Sequence, residues 1–291
     1  MYAYSGKILH IDLTTQHTWV EEKSPEFLKK YIGGVGLATR LLYDNTPAGC
    51  DPLGPENALC LACSAFAGTT VPVGTKHGIA TKSPLTGFIG DSLSGSHFSE
   101  ALRRAGWDGV VITGQAPKWS LLFIDDDDVQ LLDASRLMGM GTIETQQAIR
   151  AWLGDENVRV SSIGPAGEHL VRYAMIDNDG RQAGRTGPGA VMGSKHLKAI
   201  AMRGSHPITI ANMDGLLQET LKVVKVSQGP GTAKYRTLGT PSNVLNMNKL
   251  GVLPTRNFSE TVFENAEVVS GEYLHEHYTR KTVGCSGCTI G

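Results

Sequence analysis

The chain has 291 residues, of which 41% are hydrophobic and 19% charged, and its formal net charge is -1. That balance excludes a disordered or polyelectrolyte chain, and the length allows a sizeable core in one large domain or two ordinary ones. The 27 Lys and Arg are not gathered into a stripe, which argues against nucleic-acid binding; no apolar run approaches the ~20 residues of a membrane span, and no signal peptide opens the chain, so a cytoplasmic location is expected.

Residues Gly6 to Leu13 alternate apolar and polar with the period of a half-buried strand, and Thr14 to Gln16 turn into a second short run, His17 to Glu21. Ser24 followed by Pro25 marks a helix start, Gly33 to Gly36 breaks that helix, and Leu37 to Tyr43 resumes it. Leu59 to Ala67 reads as a buried strand, Ser99 to Ala105 as a helix and Gly109 to Thr113 as a strand. Leu121 to Ile124 and Val129 to Leu132 bracket Asp125 to Asp128, a solvated hairpin tip without the spacing of a calcium loop. A helix over Thr142 to Leu153 and strands at Val158 to Ile163, Val171 to Ile176 and Ala199 to Met202 follow. Beyond Pro207 strand-like runs cease and Met213 to Val226 has helical periodicity. The expected fold class is α+β: a mixed β-sheet N-terminal domain over 1–207, then the start of a mainly helical domain over 208–291.

Glycine is in excess, 35 residues against an average usage of about 7%. Much of it lies in three stretches, Gly74 to Gly78, Gly87 to Gly95 and Gly184 to Gly193. Such loops expose backbone N–H groups and can form an anion-binding concavity, and Lys76, Arg185 and Lys195 add the cations a phosphate wants. The rival reading is strand-connecting turns. No Walker loop or dinucleotide fingerprint is present: Gly193-Ser-Lys195 has the wrong order, and Gly34-Val-Gly36 lacks the third glycine and follows a helix.

Five cysteines are too few for a disulfide scaffold. Cys60 and Cys63 sit in a strand-like run, where residues three apart face opposite ways, and read as core. Cys285 and Cys288 sit in a turn-prone run of small residues, able to wrap a metal or cluster, and are candidate ligands. A zinc site joining both pairs would need a ligand gap spanning most of the chain. His275 and His277, two apart on a helix, read as surface residues. The second pair lies three residues from Gly291, so the chain is expected to be the N-terminal portion of something longer.

Six blocks in order resemble the aldehyde ferredoxin oxidoreductase family: Gly6-Lys-Ile-Leu-His-Ile-Asp-Leu-Thr14, Tyr31-Ile-Gly-Gly-Val-Gly-Leu-Ala38, Thr81-Lys-Ser-Pro-Leu-Thr-Gly-Phe88, Ala105-Gly-Trp-Asp-Gly-Val-Val-Ile112, Ser162-Ile-Gly-Pro-Ala-Gly-Glu168 and Gly189-Ala-Val-Met-Gly-Ser-Lys195. The resemblance covers the whole chain but about the first half of a typical member. It implies a tungstopterin or molybdopterin cofactor with two pterins per metal, one [4Fe–4S] cluster, and magnesium bridging the pterin phosphates. It further implies pterin contacts at Lys76 to Gly78, at Leu93, Ser94, Gly95 and Ser96, and at Ala183, Gly184, Arg185 and Thr186, with the Leu93 and Ala183 carbonyls helping to hold magnesium. Cys285 and Cys288 match the first two cluster ligands; the acid–base residues beside the metal belong to the other half.

Family members often carry Arg where this chain has Lys76, and an ammonium cannot reproduce a bidentate guanidinium clamp. They often carry Asn where this chain has Leu93, which can meet a metal only through its carbonyl.

The implied activity is oxidation of an aldehyde to a carboxylate, with ferredoxin or a related iron–sulfur carrier as acceptor. Reduction of aromatic thioesters, action on a sugar-phosphate aldehyde, or a non-catalytic cofactor-binding or scaffold role are the alternatives. A homodimer or a separate electron-transfer subunit is compatible with each.

Overall fold

The computed structural model describes residues 2–290. The chain divides into two compact units, one reaching to Thr70 and resuming over Gly74–Met213, the other made of Val71–Val73 and the chain from Asp214 onward.

The first unit is built on two six-stranded mixed sheets. Its elements run β1 (Lys7–Asp12), β2 (His17–Glu22), α1 (Pro25–Tyr31), α2 (Gly34–Asn45), β3 (Leu59–Cys63), β4 (His77–Lys82), β5 (Ile89–Ser94), α3 (Phe98–Arg104), β6 (Gly109–Thr113), β7 (Ser120–Asp125), β8 (Asp128–Asp133), α4 (Thr142–Leu153), β9 (Arg159–Ser162), α5 (Pro165–Glu168), β10 (Ile176–Asn178), β11 (Arg181–Ala183), α6 (Pro188–Ser194) and β12 (Leu197–Arg203). The first sheet has the order β2-β1-β6-β3-β4-β5 and the second β11-β10-β9-β12-β7-β8. Among the described residues the β1–β6 and β7–β12 pairs are parallel and the others antiparallel.

Period-two alternation assigns the faces. In β3, Leu59, Leu61 and Cys63 join the main core, with Leu122 and Ile124 of β7 and Ile200 and Met202 of β12 from the second sheet. The alternate residues Cys60 and Ala62 pack with Leu37, Ala38, Leu41 and Leu42 of α2 on the outer face. Likewise Leu121, Phe123, Val160, Ala199 and Ala201 of the second sheet pack with Ile149 of α4. The central strands of both sheets are thus buried on two faces, which explains their continuous apolar runs.

Local signals set many boundaries. Ser24 Oγ accepts the Phe27 amide at 3.2 Å and caps α1. α2 begins at Gly34 rather than Leu37, because Gly33 holds φ +141° and a Cβ there would lie 2.7 Å from the Cys63 carbonyl oxygen. The aspartate run is a hairpin tip, with Asp125 paired to Asp128 across it.

Three readings change. Gly78 lies inside β4 and the stretch Gly87 to Gly95 contains β5, so these glycines serve strand pairing as well as turns. The run Leu59 to Ala67 is strand only to Cys63, after which Ala67 donates back to Ser64 in a turn. Val171 to Ile176 is not a strand before Ile176, because the Val171 amide bonds Ala166 and the Ala174 amide bonds Val171, satisfying that backbone locally.

The second unit carries α7 (Met213–Ser227), α8 (Ala233–Leu238), α9 (Val244–Lys249) and α10 (Gly271–His277). Ser270 caps α10 by accepting the Tyr273 amide at 3.1 Å. None of the described residues in this unit belongs to the three apolar clusters. Among the described residues no helix is long and apolar enough to cross a membrane.

Candidate cofactor site

Antiparallel pairing of β4 with β5 sets His77 opposite Ser94 and Gly78 opposite Leu93. Lys76 to Gly78 and Leu93 to Ser96 therefore lie side by side at one end of the first sheet. The β10–β11 hairpin of the second sheet brings Ala183 to Thr186 against them. Ser94 Oγ donates to the Arg181 carbonyl at 3.1 Å, the Arg185 amide donates to Ser92 Oγ at 3.3 Å, and Ser83 Oγ donates to the Thr186 carbonyl at 2.7 Å. Gly90 is needed for this approach, since a Cβ there would lie 2.7 Å from Thr186.

Within this patch Lys76, Leu93, Gly184 and Arg185 are exposed, whereas Ser94, Ser96 and Ala183 are buried. The Ser94 hydroxyl is engaged with Arg181 and Asn178, the Ser96 hydroxyl accepts the Phe98 amide, and the Thr186 hydroxyl donates to the Arg185 carbonyl. These three shape the loops and leave Lys76 and Arg185 as the outward cations. Neither cation has an ion-pair partner among the described residues. Ser96 and Thr186 hold φ of 103° and 68°, left-handed values that are strained for side-chain-bearing residues and cluster at functional sites.

Lys195 departs from expectation. It is fully buried and donates to the carbonyls of Pro55 at 3.2 Å and Gly114 at 3.1 Å, and burial pushes its ammonium down to about 8. It ties two loops together and offers no cation to a ligand.

The sequence reading missed the polar interior behind the patch. His77 is fully buried and packs on Phe98 with ring centroids 5.3 Å apart. Desolvation pushes its imidazole down to about 4 although Asn178 hydrogen-bonds it. Neither His77 Nδ1 nor Thr75 Oγ1 has a hydrogen-bond partner among the described residues, and these buried atoms flank Lys76 in the sequence. No sequence pattern flagged them, because the partner Asn178 lies 101 residues away.

Gly184 is open, since a Cβ added there would have its nearest neighbour at 3.9 Å. That open backbone, the exposed cations and the strained loops fit a ligand bearing phosphates.

The cysteine pairs separate as their local sequences suggest. Cys60 and Cys63 are fully buried on opposite faces of β3; burial pushes Cys63 up to about 11 and Cys60 further. Cys285 and Cys288 are half-buried, outside any disulfide among the described residues, in a turn closed by the Cys288 amide donating to the Cys285 carbonyl at 3.0 Å, with Gly287 at φ +65°. Thr289 and Ser227 share a 2.7 Å hydroxyl contact that ties this segment to the end of α7. Among the described residues no three His, Cys, Asp or Glu side chains gather as a metal site, so His275 and His277 do not complete the pair.

The family model of the aldehyde ferredoxin oxidoreductase N-terminal domain matches residues 8–204, and that of domains 2 and 3 of the same family matches 216–291. The chain belongs to the aldehyde ferredoxin oxidoreductase family. It is 43% identical over 297 residues to the tungsten-containing aldehyde ferredoxin oxidoreductase of Thermococcus kodakarensis and 41% identical to that of Pyrococcus furiosus; each alignment takes in 100% of this chain and 49% of the relative. An aliphatic sulfonate oxidoreductase, WOR-like subunit, of Pyrococcus furiosus is 32% identical with the same coverage. Among solved structures, the active site complex BamBC of benzoyl coenzyme A reductase superposes with a TM-score of 0.85 at 30% identity, covering 99% of this chain and 46% of that one. The chain thus spans about half the length of the curated members of the aldehyde ferredoxin oxidoreductase family that it matches.

Proposed function

We propose that this chain is the cofactor platform of a tungsten or molybdenum bis-pterin oxidoreductase that converts an aldehyde to a carboxylate. The carrying observation is the convergence of Lys76 to Gly78, Leu93 to Ser96 and Ala183 to Thr186 on one patch in a chain of this family. When bound, the metal–pterin group supplies the redox change by which one aldehyde and one water give one carboxylic acid, two protons and two electrons, the electrons passing to ferredoxin.

The residues present bind and orient. Lys76 and Arg185 meet phosphate charge, and exposed backbone at Gly184 donates its N–H without steric obstruction. Leu93 and Ala183 offer backbone carbonyls to a magnesium ion between phosphates. Cys285 and Cys288 supply two thiolates from one turn to a [4Fe–4S] cluster.

Metal analysis of the full-length protein tests the reading, with tungsten or molybdenum and about four iron per subunit expected for one such cluster. Absence of both metals overturns it. Replacing Cys285 and Cys288 by Ser removes iron, and replacing Lys76 and Arg185 by Met lowers pterin content. A second reading, the same cofactor acting on another oxidised carbon or sulfur compound, draws on the resemblance to the sulfonate oxidoreductase subunit and to BamBC. Turnover with aldehydes against sulfonates and thioesters separates the two.

A further inference from the structure

The amide of Asn178 is oriented by its surroundings. Its Nδ2 faces three acceptors, Ser94 Oγ at 3.1 Å and the carbonyls of Ile176 at 3.2 Å and Arg181 at 3.3 Å. Its Oδ1 is thereby turned toward the Ser161 hydroxyl and toward His77 Nε2, which lies 3.2 Å away. An amide oxygen only accepts, so Nε2 must carry the proton, and in a neutral ring Nδ1 is then a bare acceptor. That Nδ1 is buried and has no partner among the described residues. A half-satisfied imidazole between two sheets costs more than an apolar side chain of the same size. Its compensating contribution is the one directed bond it makes, from β4 of the first sheet to β10 of the second.

We propose that His77 is a positioning residue: through Asn178 it sets the spacing between the Leu93 to Ser96 wall and the Ala183 to Thr186 wall, and hence the separation at which two phosphate groups are held. The proposal rests on the cofactor reading above for its ligand, but the bond itself is independent of that reading. Asn178 reaches both walls directly, since Ser94 closes β5 and Arg181 opens β11. Without the His77 bond the Asn178 amide oxygen keeps only the Ser161 hydroxyl of its own sheet, and the direct link from β4 to the hairpin is lost while the contacts to Ser94, Ser92 and Ser83 remain.

The test uses the 291-residue chain with His77→Gln, whose side-chain amide can still donate to Asn178, and His77→Met, which cannot. Backbone amide exchange is measured over residues 182–186, and affinity is measured with inorganic pyrophosphate. In His77→Met both exchange rate and dissociation constant rise about tenfold, the effect of losing one directed hydrogen bond. In His77→Gln both stay near wild type, and exchange in β7 and β12 is unchanged in either variant. Ring nitrogen shifts of wild-type His77 show the Nε2–H tautomer.

Wild-type exchange in His77→Met, a His77→Gln variant as impaired as His77→Met, or an Nδ1–H tautomer each overturns the proposal. A wild-type chain that fails to bind pyrophosphate counts against the phosphate ligand instead, while the exchange and tautomer results still decide the role of His77.

Discussion

Gly78 and Val35 meet backbone to backbone: a Cβ on Gly78 would stand 2.5 Å from the Val35 nitrogen and 2.6 Å from the Gly34 carbonyl carbon. The glycine lets the N-terminus of α2 seat directly on β4, beside Lys76.

Gly78→Ala must therefore push α2 off the sheet. Overpacking against backbone costs about 3 kcal/mol, at the upper end for such insertions, visible as a shifted urea midpoint. Gly184→Ala is the contrast, because its site is open. It changes stability by less than about 0.5 kcal/mol and is expected to show only as reduced cofactor content in the full-length protein.

His77 makes stability depend on pH. Its folded value of about 4 lies below the ordinary 6.5, so between these values the unfolded chain takes up a proton that the folded chain does not. Stability is full above about pH 6.5 and falls as pH drops toward 4, by about 3 kcal/mol in all. Urea unfolding at about pH 7 and about pH 4.5, on either side of the ordinary histidine value, measures the loss, and His77→Gln should remove most of the difference. An equal loss in both proteins would assign the pH dependence to other groups.

Lys198 and Glu168 form a buried ion pair, with side chains 0% and 5% exposed. The ammonium also donates to the carbonyls of Met140 at 2.9 Å and Ile163 at 2.8 Å. Lys198→Met leaves the carboxylate buried and unpaired, at a cost of about 3–5 kcal/mol. Adding Glu168→Leu recovers part of that loss, because an apolar pair has no charge to desolvate. Chemical denaturation of the single and double variants checks both statements.

The five cysteines divide by accessibility. In the folded chain an aromatic disulfide reagent should titrate Cys285 and Cys288, which are half-buried, and leave Cys60 and Cys63 unreacted until denaturant is added. The Cys60 and Cys63 thiols are fully buried and raised by desolvation, so little thiolate is available. Fast reaction of all five would contradict the packing of β3.

Much of the first unit was legible because its signals are local. Period-two alternation placed β1, an apolar run placed β6, the Ser24–Pro25 cap placed α1, and the run from Thr142 to Leu153 matches α4. The six sequence blocks also carried the family resemblance, which the family models bear out. Glycine hid β4 and β5, since Gly78 and Gly90 read as turn residues although they sit in strands whose partners approach too closely for a Cβ. Val171 to Ile176 misled in the opposite sense, showing a strand pattern while its amides bond locally.

By itself the sequence determined the α+β character, the family, and which cysteine pair is core and which lies in a turn, because each follows from residue type and short-range spacing. Only the tertiary structure decided which cations stand exposed and which are sealed. Lys195 and Arg185 look alike in the chain, yet one is sealed against the Pro55 and Gly114 carbonyls and the other stands at the rim. The His77–Asn178 bond was equally hidden, since a hydrogen bond across 101 residues exists only once two sheets have packed face to face.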